Sequence, residues 1–139
     1  MNNIDKEYLR KLINDIEEAI NIILEDTSKP FEMLIRSERS EVRYYIVVLV
    51  EALIALCYHI IRRKYGVKPM TPFQTFNVLV EKHLIKPDEF DDFVKLVRLR
   101  NLLVHRYWIV NDKLIYDNIK KNFSKVKSFL ERVRHEFGI

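Results

Sequence analysis

The sequence has 139 residues, of which 48% are hydrophobic and 32% charged, with two glycines, four prolines and one cysteine. This composition is typical of a soluble globular protein, and the length predicts a single domain over residues 1–139 with a substantial core. Cys57 is alone, which excludes an internal disulfide, and it lies in an apolar run as expected for a buried thiol in a cytoplasmic protein. No signal peptide is apparent at the N-terminus.

The net charge of +4 is unevenly distributed along the chain. Residues 98–139 hold ten Lys and Arg against four Asp and Glu, so this segment carries +6 and residues 1–97 carry −2. A basic C-terminal third would attract a polyanion such as RNA. A solvated lysine-rich helix face is the alternative explanation.

Helical spacing of apolar residues predicts a first helix over about residues 3–25, with Asn3 as its N-cap. A connector follows over residues 31–37. A second helix is predicted over residues 40–65, with Gly66 as a left-handed stop.

The middle of the second helix is nearly all apolar, so a membrane span has to be considered. Glu51 and His59 interrupt the run, and basic residues flank it at both ends without sidedness. We therefore expect no membrane association. A helix that is apolar on all sides in a small protein is usually buried by its own bundle and by a partner subunit, so this helix is a candidate dimer element.

Helix-start signals organise the second half of the chain. Thr71, Pro72 and Gln74 predict a capping box and a short third helix, and Pro87 opens a fourth. The predicted inner face of the fourth helix consists of Phe90, Phe93, Val94, Val97, Asn101 and Val104.

The segment after the fourth helix is predicted as a turn centred on Asn111 and Asp112, followed by a last helix over residues 116–137. No segment has strand periodicity. The expected fold class is all-α, an up-and-down bundle of about five helices.

Polar residues are concentrated at the end of the fourth helix, in the stretch VRLRNLLVHRYW at residues 97–108. Arg100 provides a permanent planar cation that fits phosphate oxygens, and His105 can exchange a proton near neutral pH. On a straight helix, Asn101 and Arg98 lie near the face of His105, whereas Arg100 points away. A helix that ends near Val104, or a two-fold axis that brings in a second copy, would allow the side chains of Arg100 and His105 to reach the same phosphate.

If the motif cleaves RNA, the polyanion that the basic segment would attract, the chemistry of cleavage through the 2′-hydroxyl also favours a dimer. That reaction needs a base for the attacking oxygen and an acid for the leaving oxygen, and one histidine can fill only one role at a time. A two-fold axis would place His105 and its symmetry mate in one cleft. In this hypothesis Arg100 stabilises the transition-state charge, Asn101 orients a reacting group, and Tyr107 contacts RNA by stacking or through its hydroxyl.

The motif resembles a known family signature. An Arg followed by Asn, then His at the fifth position after the Arg and Tyr at the seventh, is similar to the HEPN superfamily, in particular to HepT-like toxins that are paired with a minimal nucleotidyltransferase (MNT) antitoxin. The resemblance implies a small all-helical homodimer and a metal-independent endoribonuclease without a cofactor. It also implies that Arg100 and His105 are the catalytic pair and that the partner transfers AMP to Tyr107. Helix geometry within one chain favours Arg98 as the partner of His105, so we keep Arg98 as a reserve phosphate contact.

The alternative function is a non-catalytic helical module that docks a nucleotidyltransferase or binds nucleotides. In that case the motif would be a structural dimer contact. A lone histidine near a helix end and a Tyr-Trp pair after it more often serve packing than chemistry. The sequence contains no Cys/His spacing typical of zinc and no glycine-rich phosphate loop.

Overall fold

The computed structural model describes residues 3–139, which form five α-helices and two short 3₁₀ turns. The helices are α1 (Lys6–Asp26), α2 (Arg36–Arg63), α3 (Pro72–Glu81), α4 (Pro87–His105) and α5 (Asp112–Phe137). The 3₁₀ turns are Phe31–Met33 and Tyr107–Ile109. Residues 3–139 contain no strand, so the predicted all-α class with about five helices is confirmed.

The four longer helices alternate in direction. Three hydrogen-bonded pairs, each joining the start of one helix to the end of its neighbour, establish this: Asp5 with His59, Arg43 with Tyr107, and Glu89 with Arg132. α1 is thus antiparallel to α2, α2 to α4, and α4 to α5, as an up-and-down bundle requires.

α1 begins later than predicted. Asp5, and not Asn3, is the N-cap, because its carboxylate accepts a hydrogen bond from the backbone N–H of Tyr8 at 3.0 Å. Asp and Asn cap helices about equally well, so two such residues two positions apart left the choice open to sequence reasoning.

α2 begins four residues earlier than predicted, at Arg36 rather than Ser40. The N-cap position is held by Ile35, whose backbone N–H donates to the Glu38 carboxylate at 3.0 Å. Because the cap comes from a residue inside the helix, the usual Ser, Thr, Asp or Asn signal is missing. Gly66 has the predicted left-handed backbone, with φ +65°, but it lies beyond the end of the helix.

α2 is the central helix of the bundle. By length and composition alone it could cross a membrane, but 56% of its most apolar 18-residue window is buried inside the protein. Its fully buried residues include Leu49, Leu53, Leu56, Cys57 and Ile60. Such burial is typical of a core helix, and the predicted burial of Cys57 is confirmed.

The start signals of α3 and α4 are confirmed, but the buried face of α4 differs from the prediction. Thr71 and Gln74 close a reciprocal capping box, with both hydrogen bonds at 3.2 Å. Asn101 and Val104, predicted to face inward, are exposed. The residues that α4 buries are Glu89, Phe93, Leu96, Val97 and Leu103. With this spacing Arg100 faces the bundle, whereas the prediction placed the next residue, Asn101, on that face.

α5 begins at Asp112, and the predicted turn at this point is wrong. The Asn111 Oδ1 accepts hydrogen bonds from the backbone N–H groups of Lys113 and Leu114, at 2.9 and 3.2 Å. Asn111 therefore caps α5. An asparagine that starts a turn and one that caps a helix use the same bond from side chain to backbone, so the two cannot be separated locally.

Candidate active site

The motif occupies the last turns of α4 and the 3₁₀ turn that follows. α4 ends at His105, and Arg106 is its C-cap, whose backbone N–H donates to the carbonyl of Leu102 at 2.7 Å. The helix thus ends within one residue of Val104, the predicted end, but Arg100 and His105 both keep helical positions, so this end does not bring their side chains together. Five positions at 100° per residue separate these two side chains by about 140° around the helix.

Arg100 faces α2 and is anchored there by a carboxylate. Its Nη1 donates to Oε1 of Glu51 at 2.5 Å, and its side chain is only 20% exposed. Its Nε is buried with no hydrogen-bond partner among residues 3–139. A guanidinium has five N–H donors, so the contact with Glu51 leaves donors for a further acceptor.

Glu51 is the partner of a candidate site residue, and the sequence analysis missed this role, because Glu51 appears there only as an argument against a membrane span. Its side chain is 54% exposed and lies on α2, 49 positions from Arg100 in the sequence. A single carboxylate in the middle of a helix that the sequence predicts to be buried on all sides requires a cationic or hydrogen-bonding partner. That requirement is the signal that could have found Glu51, although it does not name the partner.

Tyr58 lies near the same ion pair. Its hydroxyl donates to the backbone carbonyl of Met70 at 3.0 Å. Burial raises the pKa of Tyr58, the charge of Arg100 offsets part of this effect, and the charge of Glu51 adds to it. The phenol is therefore neutral at physiological pH, and it borders the ion pair as a polar but uncharged group.

Tyr107 is held in place through its backbone and leaves its side chain in solvent. Arg43 on α2 donates from Nη1 to the Tyr107 carbonyl at 2.8 Å and from Nη2 to the Val110 carbonyl at 2.9 Å. Its Nε pairs with Oδ1 of Asp112 at 2.6 Å. The Tyr107 ring is 61% exposed and meets Trp108 edge to face, with the ring centroids 5.4 Å apart. Arg43 is a second positioning residue that sequence reasoning missed.

The remaining motif residues lie at the surface. His105, Asn101 and Arg98 are exposed, and the Arg98 guanidinium lies 6.0 Å from the centre of the Phe73 ring on α3. Within residues 3–139, the side chains of His105 and Asn101 form no hydrogen bond or ion pair. Within one copy of the chain, Arg100 therefore contacts Glu51, whereas His105 contacts neither Arg98 nor Arg100.

This arrangement suits proton transfer and charge stabilisation at a phosphate. It offers an exposed imidazole, a guanidinium with unused donors, and an exposed phenol on a short stretch of chain. Within residues 3–139, no group of three or more His, Cys, Asp or Glu side chains is placed to hold a metal ion.

Several solved structures share this fold. The cytosolic protein of unknown function YutE from Bacillus subtilis superimposes with a TM-score of 0.85 at 18% identity, covering 98% of this chain and 92% of that one. A tri-AMPylated Shewanella oneidensis HEPN toxin, in complex with an MNT antitoxin, gives a TM-score of 0.83 at 22% identity, covering 97% and 99%. A toxin–antitoxin crystal structure with AMP-PNP gives 0.83 at 21% identity, covering 93% and 98%. At these identities the likeness shows the fold alone.

The sequence itself identifies the family. No curated protein matches the chain. The family model described as ribonuclease HepT-like, however, matches residues 8–133, which is nearly the whole chain. The resemblance that was based on residues 100–108 is thereby confirmed over all five helices, and the chain belongs to the HepT-like ribonuclease family of the HEPN superfamily.

Proposed function

We propose that this protein, as one HEPN-like domain over residues 1–139, is a metal-independent endoribonuclease toxin that acts as a homodimer in the cytoplasm. The observation that carries the proposal is the family match together with an exposed His105 and a partly buried Arg100 at the end of α4. An imidazole and a guanidinium without a metal cluster are sufficient for cleavage through the ribose 2′-hydroxyl.

The proposed reaction is an attack of the 2′-oxygen on the adjacent phosphorus. His105 of one copy removes the 2′-hydroxyl proton as the new O–P bond forms. His105 of the other copy protonates the 5′-oxygen as its bond to phosphorus breaks, which leaves a cyclic phosphate and a free 5′-hydroxyl. Arg100 binds the extra negative charge on the phosphorus centre, and Glu51 holds its guanidinium in place. Asn101 orients a reacting group, and Arg98 contacts a neighbouring phosphate.

We infer a dimer because one chain does not place Arg100 and His105 at the same phosphate. Arg100 and His105 point about 140° apart on α4, so a single copy does not direct both at one phosphate. The outer side of α2 provides the apolar surface for a second copy. Its residues recur at helical spacing around Glu51 and are exposed or half-buried: Tyr44, Val47, Val48, Ala55 and Tyr58.

Tyr107 is the proposed point of control. The similar Shewanella toxin carries AMP groups and is bound by an MNT antitoxin. We extend both features to this chain, with the exposed Tyr107 hydroxyl as the acceptor of AMP. An added nucleotide two residues from His105 would bring bulk and negative charge into the cleft and exclude RNA.

The test is cleavage of a mixed RNA substrate in EDTA by the purified, unmodified protein. We expect activity that is lost in His105→Ala and in Arg100→Ala, while both variants remain folded and dimeric. His135→Ala, which removes an exposed histidine on α5, is the matched control and should cleave normally.

Two other outcomes would change the conclusion. Equal cleavage by His105→Ala and the unmodified protein would show that the assigned site is wrong. No cleavage by a dimeric chain with an unmodified Tyr107, as checked by mass spectrometry, would favour the non-catalytic module that docks a nucleotidyltransferase.

A further inference from the structure

A basic cleft lies beside Tyr107, on the side of the first turns of α2. Its volume is 640 Å³, which is large enough for a nucleotide-sized ligand. We call it the arginine cleft, and it is lined chiefly by Arg36, Arg39, Ser40, Arg43, Tyr107 and Asp112. These arginines belong to residues 1–97, which carry a net charge of −2, so the charge distribution along the sequence does not reveal them.

The three arginines of the cleft have different tasks. The Nε, Nη1 and Nη2 atoms of Arg43 each donate a hydrogen bond within the protein, and Asp112 balances its charge. Arg43 therefore has a structural role. The side chains of Arg36 and Arg39, in contrast, have no hydrogen-bond or ion-pair partner among residues 3–139. Two cations in the cleft therefore lack a counter-charge.

Arg39 is the more informative of these two residues. Its Cζ lies 4.4 Å from the centre of the Phe31 ring, so the guanidinium is fixed by stacking rather than by a carboxylate. Its Nε is buried and unsatisfied, which is a costly state for a charged donor. A pre-positioned planar cation with unused donors is suited to the oxygens of a phosphate group.

We propose that the arginine cleft is a phosphodiester-binding subsite, in which Arg36 and Arg39 bind the RNA phosphate next to the one that is cleaved. Tyr107 joins this subsite to the motif, because it lines the cleft and its Cα lies at most about 7 Å from that of His105 along the chain. The subsite rests on the proposed function in that it places the RNA strand across the same motif.

The experiment measures binding of a short single-stranded RNA that is 2′-O-methylated at every position and cannot be cleaved. Fluorescence anisotropy should show about tenfold weaker binding for Arg36→Gln and for Arg39→Gln. Each change should also reduce the magnitude of the negative slope of log K against log salt by about 0.7. Arg39→Lys, which keeps the charge but loses the planar fork, should fall between Arg39→Gln and the unmodified protein.

Arg10→Gln is the matched control, since Arg10 is an exposed arginine on α1, outside the arginine cleft and outside the face of α2 that we assign to the second copy. It removes the same charge and should leave RNA binding within about twofold. Arg36 is also exposed, so Arg36→Gln decides the question even if Arg39→Gln does not fold. Normal RNA binding by both cleft variants overturns the RNA subsite.

The AMP that a nucleotidyltransferase would add to Tyr107 offers the same phosphate chemistry. A second arm therefore titrates 5′-AMP into the same variants. Weaker AMP binding with unchanged RNA binding assigns the cleft to the added nucleotide, and no change with either probe overturns the subsite. The proposed ribonuclease activity is not at issue in these arms, because neither probe is cleaved.

Discussion

Replacing Arg43 by alanine should detach the Tyr107 segment from α2. The Arg43 side chain is 24% exposed and that of Asp112 is 26% exposed, so both charges are mostly removed from water. Three hydrogen bonds of 2.6, 2.8 and 2.9 Å would be lost at once. Two carbonyls and one carboxylate would then lose their partner.

The expected loss in the free energy of unfolding is about 3 kcal/mol. The two bonds to carbonyl oxygens contribute about 1 kcal/mol each. A partly exposed ion pair contributes about 1 kcal/mol more. Asp112→Asn alone should cost about 1 kcal/mol, and the double-mutant cycle of Arg43→Ala with Asp112→Asn should give a coupling energy of similar size.

Urea denaturation of the single and double variants measures these energies, and amide hydrogen exchange over residues 107–110 reports the local loosening. Arg10→Ala on α1, which removes an exposed arginine away from this segment, should change stability by no more than about 0.5 kcal/mol. Arg43→Lys should not restore the stability, because an ammonium cannot reach three separated oxygens as a planar fork does. A loss below about 0.5 kcal/mol for Arg43→Ala, or unchanged exchange in this segment, would refute the assignment of Arg43 as the clamp.

Three further predictions concern buried polar groups and the single thiol. Burial, together with the neighbouring Glu41 carboxyl, raises the pKa of Asp26 from 3.8 to about 6. The stability that this carboxyl contributes is therefore complete below pH 3.8 and is lost as the pH rises through 6. Asp26→Asn should therefore raise the free energy of unfolding by about 2 kcal/mol at pH 8 and by less than about 1 kcal/mol at pH 4, and equal gains in urea titrations at the two pH values would contradict this. Arg132 binds both oxygens of Glu89, which is 1% exposed, so Arg132→Ala should cost about 3 to 5 kcal/mol in the same assay and the added change Glu89→Gln should recover part of it; a loss below about 1 kcal/mol would contradict the pairing. Burial raises the pKa of the Cys57 thiol, so a disulfide reagent should react with it only after unfolding, and equally fast reaction in native buffer would contradict its burial.

The sequence was sufficient for features that are local. The capping box at Thr71 and Gln74 was predicted and is present, because both of its hydrogen bonds lie within four residues. The start of α2 was missed for an equally local reason, since the cap at Ile35 comes from the Glu38 side chain and leaves no standard N-cap residue.

The site could be predicted only as far as its motif. His105 and Tyr107 are exposed, as proton transfer by His105 and modification of Tyr107 require. Both roles remain predictions. The direction of Arg100 depends on a carboxylate 49 positions away, and no periodicity within α4 reports such a contact. Asn101 was placed on the inner face by counting helical positions, and a shift of one residue in the buried stripe moved it to the surface.

The long-range contacts show why α2 is central to the candidate site although it contributes none of the proposed reacting groups. Glu51 holds Arg100, and Arg43 holds the backbone of Tyr107, so the two ends of the motif are attached to one helix at points about 12 Å apart along its axis. The same helix presents the apolar outer face that we assign to the second copy. The spacing of the motif and its approach to a partner therefore depend on one rigid element. An Arg and a His at this spacing in another helical protein would have the chemistry of the motif, but without a carboxylate and an arginine at these two positions they would not have its geometry.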